Sequence, residues 1–233
     1  MFGLDDHIAA LGNGASVIVV ILVAAVLGLR HATDPDHIAA VTTLVASGRS
    51  HVARDAARLG VFWGLGHALT LLLFGLPILL FESYLPARVQ QGAETAIGAV
   101  IVYLALRLLM RWRSGSFHPH VHEHRERDHR HHVRTPLGAF GIGLVHGLGG
   151  SAGIGVLLLA AIPSTSVAVA SLLALALFTA VSMAAVTTGF GLTLGSGPVR
   201  GAFNGIAPGI GVSSLAFGVW YAAAAWGLLP YPF

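Results

Sequence analysis

Two histidines, two aspartates and a proline stand together in H31-A-T-D-P-D-H37, between the apolar runs Ala15–Leu29 and Ile38–Ala46. As a helix, the first run reaches only about 22 Å, short of the roughly 30 Å hydrocarbon core of a bilayer. The motif therefore belongs inside a membrane-spanning segment. An aspartate at the middle of such a helix costs roughly 2.5–3.5 kcal/mol, and two without partners would jeopardise it. A divalent cation held by carboxylates and imidazoles offsets that cost. The competing partner is Arg30, which can pair with one aspartate while water or neighbouring helices satisfy the rest. It can also serve as a gate or counter-charge when the cation is gone.

On an unbroken helix, His31, Asp34 and His37 drift over a face of about 120°, and Asp36 points about 140° away from His31. Pro35 has no N–H for the His31 carbonyl and its ring pushes that carbonyl aside. A kink or unwound turn is expected, swinging Asp36 inward and freeing the His31 carbonyl oxygen. Irregular backbone at membrane depth is tolerated where it lines a cavity.

His67, in W63-G-L-G-H-A-L-T70, and His146, in G143-L-V-H-G-L-G-G-S151, are the further candidates. A lone buried histidine is more often a hydrogen-bonding residue than a ligand, so each stands open between ligation and support. With no Cys in the chain, thiolate ligation is excluded. Imidazole and carboxylate suit Ni(II), Co(II), Zn(II) or Mn(II) and disfavour Cu(I). Affinity order alone favours Cu(II), so ligand type does not select the metal.

The elements that must position these groups are transmembrane helices. The chain is 55% hydrophobic and 10% charged, against roughly 25% charged in a soluble domain. Apolar segments at about 15–46, 60–81, 91–112, 137–162, 166–195 and 203–229 give an all-α, polytopic membrane helix bundle of about six spans. Their continuous apolar runs argue against a β-barrel, and the 30 glycines suit close helix packing in lipid. No cleavable signal peptide stands out, since Asp5 and Asp6 replace a basic leading region. Among the 13 basic residues, none is lysine. Arg49, Arg54, Arg58, Arg111, Arg113, Arg125, Arg127, Arg130, Arg134 and Arg200 fall on one side of the expected bundle and Arg88 on the other. By the positive-inside rule, both termini face outward and the arginine-bearing loops face the cytoplasm, across a plasma (inner) membrane.

Three parts follow: residues 1–112 as a three-helix half with the motif, 113–135 as a loop, and 136–233 as a second three-helix half. G28-L-R-H31 resembles G143-L-V-H146, each in the first helix of a half. With three spans per half the second would be inverted, as in transporters whose site lies between repeats; chance similarity among abundant Gly and Leu is the rival account. The loop carries His118, His120, His122, His124, His129, His131 and His132 and is too polar to build a core. Such tracts collect divalent metals weakly; the bland alternative is a solvated linker.

H31-A-T-D-P-D-H37 resembles the H-x4-D-H signature of the nickel/cobalt transporter family (NiCoT, within the wider NicO group), and L65-G-H-A-L-T70 resembles that family's next-helix G-H-S/T segment. The resemblance implies transport of Ni(II) or Co(II), with His31, Asp34, Asp36 and His37 essential and His67 supporting them. It implies no catalytic cofactor and no nucleic acid. The implied partners are the lipid bilayer, the ion, and metallochaperone, urease-maturation or hydrogenase-maturation proteins. Larger members have eight helices, and their L-G-F-D-T-A-T-E segment has no match here; L144-V-H-G-L-G-G-S151 stands at a comparable place. The shorter NicO-type branch, which includes proteins associated with urease maturation and metal export, is the nearer comparison.

The leading expectation is therefore a divalent-metal transporter and not an enzyme, with import and export both open. Two rivals are weaker. G149-G-S-A-G153 evokes rhomboid-type proteases, but His146 projects about 140° from Ser151 on a common helix, out of reach for a base. A di-metal oxidase needs more histidines in the spans than His31, His37, His67 and His146. No G-x4-G-K-S/T phosphate loop occurs, so any energy would come from a gradient, the membrane potential or a separate ATPase.

Overall fold

A computed structural model describes residues 4–46, 52–81, 86–114, 135–147, 149, 155–156 and 159–230. Among these residues the chain is entirely helical: α1 (Leu4–His31), α2 (Pro35–Ala46), α3 (Val52–Phe81), α4 (Ala87–Arg113), α5 (Pro136–His146), α6 (Thr165–Gly195) and α7 (Gly197–Ala224). The histidine tract 118–132 lies outside the described residues, as does Ser151.

Four helices are long and apolar enough to cross a membrane, at Arg54–Phe81, Ala87–Arg113, Thr165–Leu194 and Asn204–Ala224. Val17–His31 and Pro35–Val45, bent by 45°, make a fifth span if taken together. This differs from the count of about six spans expected. The expected segment 137–162 begins as α5, which stops at His146 after 11 residues. Its continuation carries Gly147, Gly149, Gly150 and Gly153. Glycine is nearly neutral in hydropathy yet costs a helix about 1 kcal/mol per residue. The apolar pattern hides the helix end for that reason.

Pro35 interrupts the first span, giving the unwound turn of the two outcomes expected. The Thr33 N–H and hydroxyl both donate to the Arg30 carbonyl, at 2.8 and 2.6 Å. The Asp34 N–H donates to the His31 carbonyl at 3.1 Å, so the oxygen expected to be free is capped. Pro35 then begins α2, at the one helical position where a missing N–H is harmless.

The bundle exposes many large apolar side chains and buries several polar ones within an otherwise apolar interior. Leu22, Val26, Leu73, Leu177 and Val212 are exposed, while His37, His67, Thr43, Ser171 and Thr187 are buried. Its outer surface is that of a helical membrane protein. Without water to expel, such helices associate by close packing of small residues. A Cβ on Gly143 would overlap the Trp63 carbonyl, one on Gly66 the Phe140 carbonyl, and one on Gly64 the backbone of Ala180. These glycines seat α5 and α6 directly on the backbone of α3. An apolar cluster containing Trp63, Ile97, Ile101, Met183 and Tyr221 joins the helices there.

Candidate metal centre

The break between α1 and α2 sets two helix ends of opposite polarity at one place. The backbone dipoles at the C-terminus of α1 favour cations, and those at the N-terminus of α2 favour anions. His31 closes α1, while Asp34 precedes α2 and Asp36 lies in its first turn. His31 and the two aspartates thus lie at the helix ends that suit their charge.

All six intramembrane candidates are buried: His31, Asp34, Asp36, His37, His67 and His146. They also meet. The ring centroid of His31 lies 4.5 Å from that of His37 and 4.8 Å from that of His67. His37 lies 5.3 Å from both His67 and His146. One nitrogen from each of His31, His37 and His67 falls within 4.8 Å of the other two. Nitrogens sharing one tetrahedral ion lie about 3.4 Å apart, given metal–nitrogen bonds of 2.0–2.1 Å. A modest inward turn of the rings would close such a shell.

Each aspartate of the motif sits against one of its histidines. Asp34 Oδ2 lies 3.1 Å from His31 Nδ1, and Asp36 Oδ1 lies 3.0 Å from His37 Nδ1. A carboxylate only accepts, so each imidazole donates from Nδ1 and keeps its Nε2 lone pair for another partner. His146 Nδ1 lies 3.2 Å from the Ile142 carbonyl and donates to it likewise. The Nε2 atoms of His37 and His146, and both nitrogens of His67, are buried without a hydrogen-bond partner among the described residues. Burying such polar atoms unpaired is costly, and a cation among them would remove the cost.

Arg30 does not absorb the two carboxylates. Its side chain is 70% exposed and reaches only Asp34, at 3.9 Å. Asp36 is left to His37.

One contributor to the centre, Trp63, and two buried ionisable residues of α4 escaped the sequence reading. Trp63 stacks on His37 at 5.4 Å and 27°, and meets His146 edge-on at 5.6 Å; it walls the site on an apolar face. Glu94 is buried in α4, where the Gln90 amide donates to it at 3.0 Å. Arg107, also on α4, holds one guanidinium nitrogen buried without a partner. A lone acid and a lone arginine within an apolar span were the signals for the latter two. Trp63 gave none beyond its place one turn before His67.

The chain is similar to a urease accessory protein, UreH of Bacillus sp. (strain TB-90), with 29% identity over 203 residues, 84% of this chain and 87% of that protein. No family model matches the chain. No solved structure matches it either.

Proposed function

We propose that the chain carries a divalent transition-metal cation, Ni(II) or Co(II), across the membrane through the centre formed by His31, His37, His67 and His146. The observation that carries this reading is the set of imidazole nitrogens of His37, His67 and His146 that have no hydrogen-bond partner among the described residues, deep among apolar helices and flanked by the carboxyl groups of Asp34 and Asp36. Imidazole nitrogens replace the water that the ion sheds. Asp34 and Asp36 set the ring tautomers and supply negative charge that a dication needs at membrane depth. The likeness to a protein named for urease agrees with the urease association that the motif resemblance implies.

In this reading the ion enters and leaves through the two helix breaks, after His31 and after His146. Discontinuous helices form substrate sites in many transporters. The tract from His118 to His132 gathers ions at the arginine-bearing, cytoplasmic face. A metallochaperone, or a urease or hydrogenase maturation protein, exchanges the ion there. The chain acts as a carrier with no catalytic cofactor.

The test is metal accumulation in cells expressing the wild-type chain, His31→Ala or Asp36→Ala at equal membrane abundance. Wild type should change cellular nickel or cobalt, upward for import and downward for export, and both variants should abolish the change. Accumulation unaltered by either substitution contradicts the reading.

A further inference from the structure

Close contacts in the bundle recur in reciprocal pairs. A Cβ on Gly60 of α3 would strike Thr187 of α6, and one on Gly75 of α3 would touch Leu172 of α6. As on any antiparallel pair, the spacing from Gly60 to Gly75 equals that from Leu172 to Thr187, so these two contacts exchange when α3 and α6 exchange and are compatible with, without by themselves requiring, a repeat. The same holds for α4 and α7: Gly98 packs on Gly218 and Ala222, and Gly218 packs on Gly98 and Val102.

Contacts that involve the histidine-bearing helices also pair. Gly143, three residues before His146 on α5, abuts the Trp63 carbonyl and the His67 N–H on α3. Gly28, three residues before His31 on α1, abuts the Leu175 carbonyl and the Thr179 N–H on α6. The Thr70 hydroxyl donates to the Leu144 carbonyl, and the Ser182 hydroxyl donates to the Leu29 carbonyl. Exchanging α1 with α5 and α3 with α6 turns each contact into the other. His31 then takes the place of His146, and Thr179 takes the place of His67. Because α3 and α6 run antiparallel, the exchange inverts one half against the other.

Thr179 has a second peculiarity. Thr42, Thr43, Thr70, Thr95, Thr187 and Thr188 fold their hydroxyls back onto the carbonyl one turn earlier. Thr179 does not. Its hydroxyl is fully buried and has no hydrogen-bond partner among the described residues, and the same is true of both nitrogens of His67. Threonine at depth ordinarily takes the local carbonyl, so a hydroxyl left without a partner among the described residues, at the counterpart of a candidate ligand, is open to an ion or a water.

We infer that Thr179 is the counterpart of His67 in an inverted second copy of the three-helix unit, and that its hydroxyl oxygen contacts the bound cation directly or through one water. The inference rests on the proposed cation site. It makes that site lopsided, with a strong imidazole donor on α3 and a weak oxygen donor on α6. A carrier must release its ion as well as hold it.

The experiment titrates Co(II) into the purified full-length chain, reading affinity by calorimetry and coordination by the visible ligand-field spectrum. Thr179→Val keeps the branched shape and removes the hydroxyl; Thr179→Ser keeps the hydroxyl. Thr179→Val should bind Co(II) about 10-fold more weakly and shift the spectrum, with an unchanged or raised melting temperature in the absence of Co(II). Thr179→Ser should match wild type in affinity and spectrum. Wild-type affinity and spectrum in Thr179→Val overturn the inference, and so does a Thr179→Ser variant that fails as badly as Thr179→Val. His37→Ala reports separately on the site itself: if it binds as wild type does, or if wild type binds no Co(II), the cation site falls and this inference with it.

Discussion

Asp36 and His37, neighbours in the chain, close a hydrogen bond of 3.0 Å between the carboxylate and the ring Nδ1. The contact fixes which imidazole nitrogen remains for a ligand, and Trp63 stacked on the same ring fixes its plane. Removing a carboxylate that orients a ligating histidine typically weakens metal binding by about 10–100-fold. Asp36→Ala should therefore weaken Ni(II) binding by that order in calorimetry of the purified chain, without preventing its folding. An affinity equal to wild type would show that His37 needs no such partner.

Gly143 sets the distance between α5 and α3. Gly143→Ala drives a methyl into the Trp63 carbonyl and should lower stability by about 1–3 kcal/mol, as overpacking does. Gly141, on the same helix, has open space around its Cβ position, so Gly141→Ala should be neutral or slightly stabilising. Thermal unfolding in detergent compares the two, and equal melting temperatures would contradict the packing account.

Thr70 ties α3 to the end of α5 through the Leu144 carbonyl at 3.0 Å. Interhelical hydrogen bonds of this kind contribute on average about 0.6 kcal/mol in membranes. Thr70→Val should lower the melting temperature slightly and leave Ni(II) affinity within about two-fold of wild type. A loss comparable to that of Asp36→Ala would instead place Thr70 among the groups that hold the ion.

Much of the centre was legible because ionisable residues are rare at membrane depth, so His31, Asp34, Asp36, His37, His67 and His146 declared themselves against Val, Leu and Ala. Pro35 likewise announced a break. The division of labour was hidden: residue types do not say which carboxylate atom meets which ring nitrogen, and that depends on the helix restarting at Pro35. The stop at His146 was hidden by glycine, whose hydropathy does not reveal its helix cost. Thr179 was hidden because a threonine in a membrane helix normally satisfies itself, and only its missing bond sets it apart.

Removing residues 118–132 deletes the histidine tract while sparing the intramembrane centre. The shortened chain should bind fewer Ni(II) ions in total and keep the tight site, read as stoichiometry and affinity in equilibrium dialysis. Loss of the tight site on this deletion would move the primary site into the tract.

The central claim is that these buried imidazoles conduct a dication, and flux across a sealed bilayer measures it directly. In proteoliposomes containing the purified full-length chain, wild type should carry radioactive nickel down its gradient, while His37→Ala should fall to the rate of protein-free vesicles. Equal flux through both chains, or no flux above the bare lipid in the wild type, would contradict the account.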